Sequence, residues 1–178
     1  GVLLTPLLNL ACERLPDIRI HVLEGLTEHL DEALISGRLD IGLLYHNRQV
    51  PSPTDESLLQ TDLCLIGPAG AHITQSEVVD FRRVAELPLI LPATPNRMRL
   101  LIDQVCHDHG IVLNVTTVLD ALGTLKDIAA SGRAYTILPP HFVATDIASG
   151  RLQAARIVRP AITRTILLAS SAHSPTIW

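Results

Sequence analysis

Apolar residues recur along this chain with two periods, every second position in short runs and every third or fourth in longer ones, so that strand and helix alternate. The fullest case spans residues 15–44. After Pro16 and Asp17, the alternation of Ile18, Ile20, Val22 and Leu23 predicts a strand, and Glu24, Gly25 and Leu26 make a turn. Thr27 then stands as a helix N-cap, with Glu28 in the first turn, where the helix dipole favours negative charge. Leu26, Leu30, Ala33 and Leu34 recur at helical spacing, and Gly37 ends the helix in the left-handed conformation that glycine reaches most cheaply. Residues 40–44 follow as a short apolar strand buried on both faces. Together these pieces predict a strand-helix-strand crossover.

Ahead of it, residues 3–15 open on Thr5 and Pro6, a cap and first-turn pair, and carry Leu7, Leu8, Leu10, Ala11 and Leu15 around much of one helix. That predicts burial on two sides, against the domain's own core or against its sheet and a second subunit. Prolines and polar residues mark 47–54 as a loop, and 57–66 reads as an extended segment leading to a second lobe that begins near Asp62. There the alternation resumes: helix 80–87, strand 89–91, helix 98–109 closed by Gly110, strand 112–118, helix 121–131 stopped by Gly132, and strand 135–138. Pro139 and Pro140 are expected to return the chain to the first lobe, with a helix around 142–148 and strands near 152–157 and 165–169. The class is α/β, with a discontinuous first subdomain (1–61 and 139–178) and an inserted second one (62–138), both Rossmann-like.

The order of these signatures resembles the effector-binding domain of LysR-type transcriptional regulators. In that family a helix runs into a Tyr-Pro-Asp-Val type turn, a strand, Glu-Gly, a polar helix start, a LxxGxLDxxL turn and a Pro-rich loop. The matching positions are 15–18, Glu24 with Gly25, and 34–44; ELPLILP at 86–92, Gly110 with Ile111, and AASGRAYTILP at 129–139 follow in the family's order. The match covers nearly the whole chain. It implies a type II periplasmic-binding-protein-like fold whose two subdomains are joined by a two-strand hinge, with crossings near Thr61 and Leu138. It also implies a strand ahead of the first helix, at the centre of the first sheet, and a closing helix. Gly1 falls inside the first helix's opening and Trp178 where the last helix would begin, so the chain is expected to be trimmed at both ends. Without the central strand, residues 18–23 and 41–44 would lack the neighbour that takes up their backbone groups. Ala134 departs from the family's usual glycine. The ELPLILP stretch and residues 108–111 lean towards the subgroup near nitrogen-assimilation regulators.

Composition supports that class. With 178 residues, 47% hydrophobic and only 3% aromatic, the interior must be packed with Leu, Ile, Val and Ala, as in parallel sheets covered by helices. A net charge of -4 with no lysine–arginine run argues against this segment gripping DNA itself. The resemblance assigns DNA to an N-terminal winged helix-turn-helix domain outside it. Cys12, Cys64 and Cys106 are odd in number, widely spaced and set among apolar neighbours, which predicts buried reduced thiols. No basic-then-apolar leader opens the chain, and no apolar run approaches the roughly 20 residues that cross a bilayer. A cytoplasmic protein without a membrane partner is expected.

Catalytic patterns are missing: there is no GxSxG, Walker A, GxGxxG or zinc-ligand spacing. His107, Asp108 and His109 are adjacent on a helix and point in different directions, so they cannot share an ion. Glu13, Asp31 and Glu32 read as solvated helix faces. Hence no enzyme, metal or cofactor is expected. Recognition is better supported, because doubly wound sheets bind ligands beyond the carboxyl ends of their strands. By the resemblance, Thr27 falls where the family places an effector-contacting hydroxyl, a role compatible with capping. Thr94, Asn96 and Arg97 correspond to the second-lobe effector loop, where Arg97 could clamp a carboxylate or stand as an ordinary surface arginine. Tyr45 and His46 lie on a cleft-facing loop, as contacts or as structural filling, and Pro139, Pro140 and His141 border the hinge. The expected function is effector sensing, with a small anion or polar metabolite in the inter-lobe cleft of a homodimer or homotetramer. The rival from another class is a solute-binding protein of a transport system; an enzyme on this fold has no residue constellation behind it.

Overall fold

A computed structural model describes residues 4–25, 27–45 and 56–171. Leu26, the predicted 47–54 loop and Trp178 lie outside the described residues. The elements in chain order are α1 (Leu4–Arg14), α2 (Thr27–Ile35), β1 (Ile41–Tyr45), β2 (Glu56–Asp62), β3 (Cys64–Pro68), β4 (Val78–Asp80), α3 (Phe81–Ala85), β5 (Leu89–Leu91) and α4 (Arg97–His109). They continue as β6 (Val115–Val118), α5 (Leu122–Ala130), β7 (Thr136–Leu138), α6 (Ala144–Ala148), β8 (Leu152–Val158) and β9 (Thr163–Ser170). Two compact units divide the chain: residues 1–59 with 165–178, and residues 60–164.

The first unit holds a three-stranded sheet in the order β1-β9-β2, with β1 antiparallel to β9 from Ile41 opposite Ser170 to Tyr45 opposite Ile166. Helix α2 ends as the glycine predicts, Gly37 taking φ 71° and donating its N–H to the Leu34 carbonyl. Its face buries Leu34 against Leu44 and Ala169. Gly42 makes that approach possible, because a Cβ there would lie 2.9 Å from Leu34 Cδ1.

Several expectations for this unit are corrected. Residues 18–25 run without strand structure, and Ile18, Ile20 and Val22 are 57%, 42% and 40% exposed. The alternation is real, but a strand exists only where a neighbour takes up its N–H and C=O groups, and no described strand pairs with this segment. For the same reason β1 is not buried on both faces: only Leu44 is buried, and Ile41 is 66% exposed. Helix α1 forms where its leucines predict it yet buries no residue, since an apolar stripe is covered only where another surface meets it. Cys12 on α1 is therefore exposed, whereas Cys64 and Cys106 are buried as expected. Asp31 is not on a solvated face: it is 4% exposed on α2.

The second unit is built around a sheet in the order β4-β8-β3-β7, extended through a parallel bridge between Leu89 and Tyr135 to β5 and then β6. Strand β3 runs antiparallel to both β7 and β8, while β4 is parallel to β8 and β5 to β6. The hydrophobic core sits here, with β3, β5 and β7 supplying Leu65, Ile66, Leu89, Ile90, Leu91, Ile137 and Leu138. Met98, Ile102 and Cys106, spaced by four, turn one face of α4 inward, and Leu125 and Ala129 do the same for α5. The return to the first unit comes later than Pro139. The chain from 139 to 158 stays in the second unit, because β8 fills the sheet position between β3 and β4, and the later crossing falls within β9, between Arg164 and Thr165.

Polar contacts fix the second unit's helices. Asp80 caps α3 through the N–H of Arg82. Asp146 on α6 is buried and accepts from Lys126 Nζ of α5 at 2.7 Å and from Arg151 Nε at 2.9 Å. These two cations hold its carboxyl below the ordinary carboxylate range.

Candidate functional site

Within the second unit, β7, β5 and β6 lie side by side and parallel, so the loops after them share one edge: Pro139 and Pro140, residues 92–96, and residues 119–121. One hydrogen bond joins the latter two loops, Ala93 N donating to Asp120 Oδ1 at 3.0 Å, and Leu119 N donates to the carbonyl of Leu91, the last residue of β5, at 2.9 Å. The 92–96 loop is also held from α4, where Arg99 Nη1 donates to the Pro92 carbonyl at 3.2 Å while its Nε bonds Asp103. Asn96 Oδ1 accepts from Met98 N at 2.9 Å and Arg99 N at 3.3 Å. The local fold follows from that cap: an Asn with extended backbone, then a run whose inward face is Met98, Ile102 and Cys106.

The predicted contacts divide between the two units. Thr94, Asn96, Arg97, Pro139 and His141 all belong to this edge of the second unit. Thr94 is exposed, Asn96 and Arg97 are half-buried, and Pro139 is buried. Thr27, the half-buried first residue of α2, and Tyr45, the half-buried last residue of β1, belong to the first unit. His46 lies outside the described residues. Asn96 spends its carbonyl oxygen on the cap, leaving its amide N–H groups as the part that can address a ligand.

His141 follows β7 in a short 3₁₀ turn, its ring edge-on to Phe142 at 4.8 Å. Burial, then the Arg164 guanidinium, lower its pKa from the ordinary 6.5, so at neutral pH it serves as a neutral hydrogen-bonding group rather than a cation. Arg164 itself, only 9% exposed on β9, was not singled out from sequence. Arg99 was also missed as a site-building residue; the signal was an Arg placed four residues ahead of Asp103. The buried thiols offer no chemistry here: burial pushes both Cys64 and Cys106 up to about 11. No group of three or more metal-ligating side chains is found among the described residues.

Residues 1–176 match the family model described as the LysR substrate binding domain. The chain belongs to that family. Nac of Klebsiella aerogenes, a nitrogen assimilation regulatory protein, is 26% identical to this LysR substrate-binding domain over 94% of the chain and 54% of its own length. A probable hydrogen peroxide-inducible genes activator of Streptomyces viridosporus is 31% identical over 93% of the chain and 54% of its own length. The chain thus spans about half the length of the curated relatives it matches, and the lean towards nitrogen regulators is matched by a relative of the other kind. Among solved structures, the regulatory domain of Synechocystis CcmR in complex with 2-PG superposes with a TM-score of 0.80 at 16% identity, covering 98% of this chain and 84% of that one. That likeness shows the fold, the periplasmic-binding-protein-like type II architecture expected from the sequence. Matching regulators throughout favours the regulatory reading over the transport one.

Proposed function

We propose that this LysR substrate-binding domain senses a small polar or anionic effector at the carboxyl edge of its second unit and thereby governs DNA binding by a winged helix-turn-helix domain elsewhere in the full protein. The observation that supports the reading is that edge itself: three adjacent parallel strands, the segments after which carry Thr94, Asn96, Arg97 and His141, with two of the loops tied to each other by the hydrogen bond from Ala93 to Asp120. Arg97 supplies the cation, Thr94 and Asn96 the neutral donors, and Pro139 a rigid wall. An effector acts by binding one conformation of the domain more tightly than another, and a tenfold population shift takes a preference of only about 1.4 kcal/mol. The exposed leucines of α1 fit pairing with a second copy, as a homodimer or within a homotetramer.

A thermal-shift screen against small acids tests the site. A genuine hit raises the melting temperature of the wild-type domain. Arg97→Ala and Thr94→Ala should each remove most of that shift; a hit whose response survives both substitutions places the effector elsewhere.

A further inference from the structure

Among the described residues, the loops at the carboxyl edge of the second unit carry one carboxylate, and its two oxygens are used differently. Asp120 follows β6 by two residues. Its Oδ1 accepts from Ala93 N at 3.0 Å and so holds the 92–96 loop, while Oδ2 makes no hydrogen bond among the described residues and the side chain is exposed. An ionised carboxylate can only accept. Its free oxygen repels a ligand anion placed against it and is satisfied by a hydroxyl or ammonium, in a charge-assisted bond stronger than a neutral one. The loop it holds carries the opposite chemistry, the guanidinium of Arg97 with the Thr94 hydroxyl and the Asn96 amide.

We infer that Asp120 is the specificity-determining residue of this edge: one oxygen fixes the effector loop, and the other selects a small acid that also carries a hydroxyl or ammonium donor. The inference rests on the effector site proposed above. An acid without the donor leaves Oδ2 unpaired against the bound ligand, which is how a hydrogen-bonding site rejects an analogue that lacks the group. A ligand bearing both groups can set its anion towards Arg97 and its donor towards Asp120.

Matched acids test it by isothermal titration on the whole domain: malate, aspartate and succinate, which differ at one carbon by hydroxyl, ammonium or hydrogen, and lactate, alanine and propionate, which do the same. In at least one set the donor-bearing member should bind at least tenfold more tightly than the donor-free acid, and the preferred member tells hydroxyl from ammonium. Asp120→Asn separates holding from selecting. Its amide oxygen can still accept from Ala93 while its NH₂ replaces the free oxygen by a donor, so the melting temperature should stay at the wild-type value and the preference should vanish. Asp120→Ala should lose the preference too. Equal binding with and without the donor, or a preference that survives Asp120→Asn, overturns the inference. If acids bind with the expected preference but Arg97→Ala and Thr94→Ala do not weaken them, the proposed site fails on its own account. No binding by any of the six at millimolar concentration overturns both.

Discussion

Strand β5 and residues 18–23 make an instructive pair, because both are short apolar runs set before a helix and only one of them becomes a strand. β5 lies between β6 and the Leu89–Tyr135 bridge, with all three of its leucine and isoleucine side chains buried. Residues 18–23 find no ladder partner among the described strands, and their side chains are left in solvent. The contrast extends to the whole units. In the second, helices α4 and α5 close over a continuous core; in the first, the buried cluster is Leu34, Leu44 and Ala169, and α1 buries nothing. Periodicity states which face of a segment wants cover. Cover itself is a property of neighbours, and stability should follow the neighbours.

The sharpest way to break that comparison is to truncate one helix residue in each unit. Ile102→Ala empties a fully buried position on α4 and should cost about 3–4 kcal/mol. Leu10→Ala on α1 removes an exposed side chain and should change stability by no more than about 0.5 kcal/mol. Hydrogen exchange at the amides of β3, β5 and β7 reads the loss within the second unit without assuming that both units unfold in one step. Comparable losses at the two positions would mean that α1 is covered after all.

A second difference is electrostatic. Asp146 ties α5, α6 and the start of β8 together through Lys126 and Arg151. Removing it with Asp146→Ala strands Lys126, whereas the half-exposed Arg151 keeps its pairing with Asp127 at 2.7 Å, and should cost about 2–3 kcal/mol, most of it from the Lys126 contact. The pH dependence has a definite sign. Because those cations lower the folded-state pKa of Asp146 beneath its ordinary 3.8, its contribution is complete above that value and is lost as the pH falls through the folded pKa. Acid titration of second-unit stability should therefore lose amplitude between pH 4 and lower values in Asp146→Asn relative to wild type. An unchanged acid limb would show that the pair does not act in the folded state.

Most of the second unit was legible because each signal there is local and is also satisfied globally. Gly110 stops α4 at φ 61°, the 89–91 run is β5 to the residue, and the apolar spacing of α4 names the face that is buried. Strand β4 and the membership of β8 were not legible. Three residues of Val-Val-Asp carry no period, and only sheet order shows that residues 152–158 slot between β3 and β4. The site was legible as loops, since Thr94, Asn96 and Arg97 follow a strand and open a helix. The bond from Ala93 to Asp120 was not, because it joins positions 27 apart through a side chain on one partner and backbone on the other.

The smallest test sets two glycines against each other, one in each unit. A Cβ at Gly67 on β3 would sit 2.5 Å from the Tyr135 ring, whose own backbone is fixed by bonds to Pro88 and Ile90, so Gly67→Ala must displace a ring packed on the sheet. The cost should be about 2 kcal/mol. At Gly42 on β1 the obstacle is the end of the buried Leu34 side chain at 2.9 Å, a flexible aliphatic group in a cluster of few buried residues rather than a ring packed on a sheet, and Gly42→Ala should cost less, about 1 kcal/mol. Urea titration followed by hydrogen exchange in each unit ranks the two. If Gly42→Ala is the more damaging, the first unit is packed more rigidly than its exposed leucines and isoleucines indicate, and the contrast between a closed core and an open one would have to be drawn elsewhere.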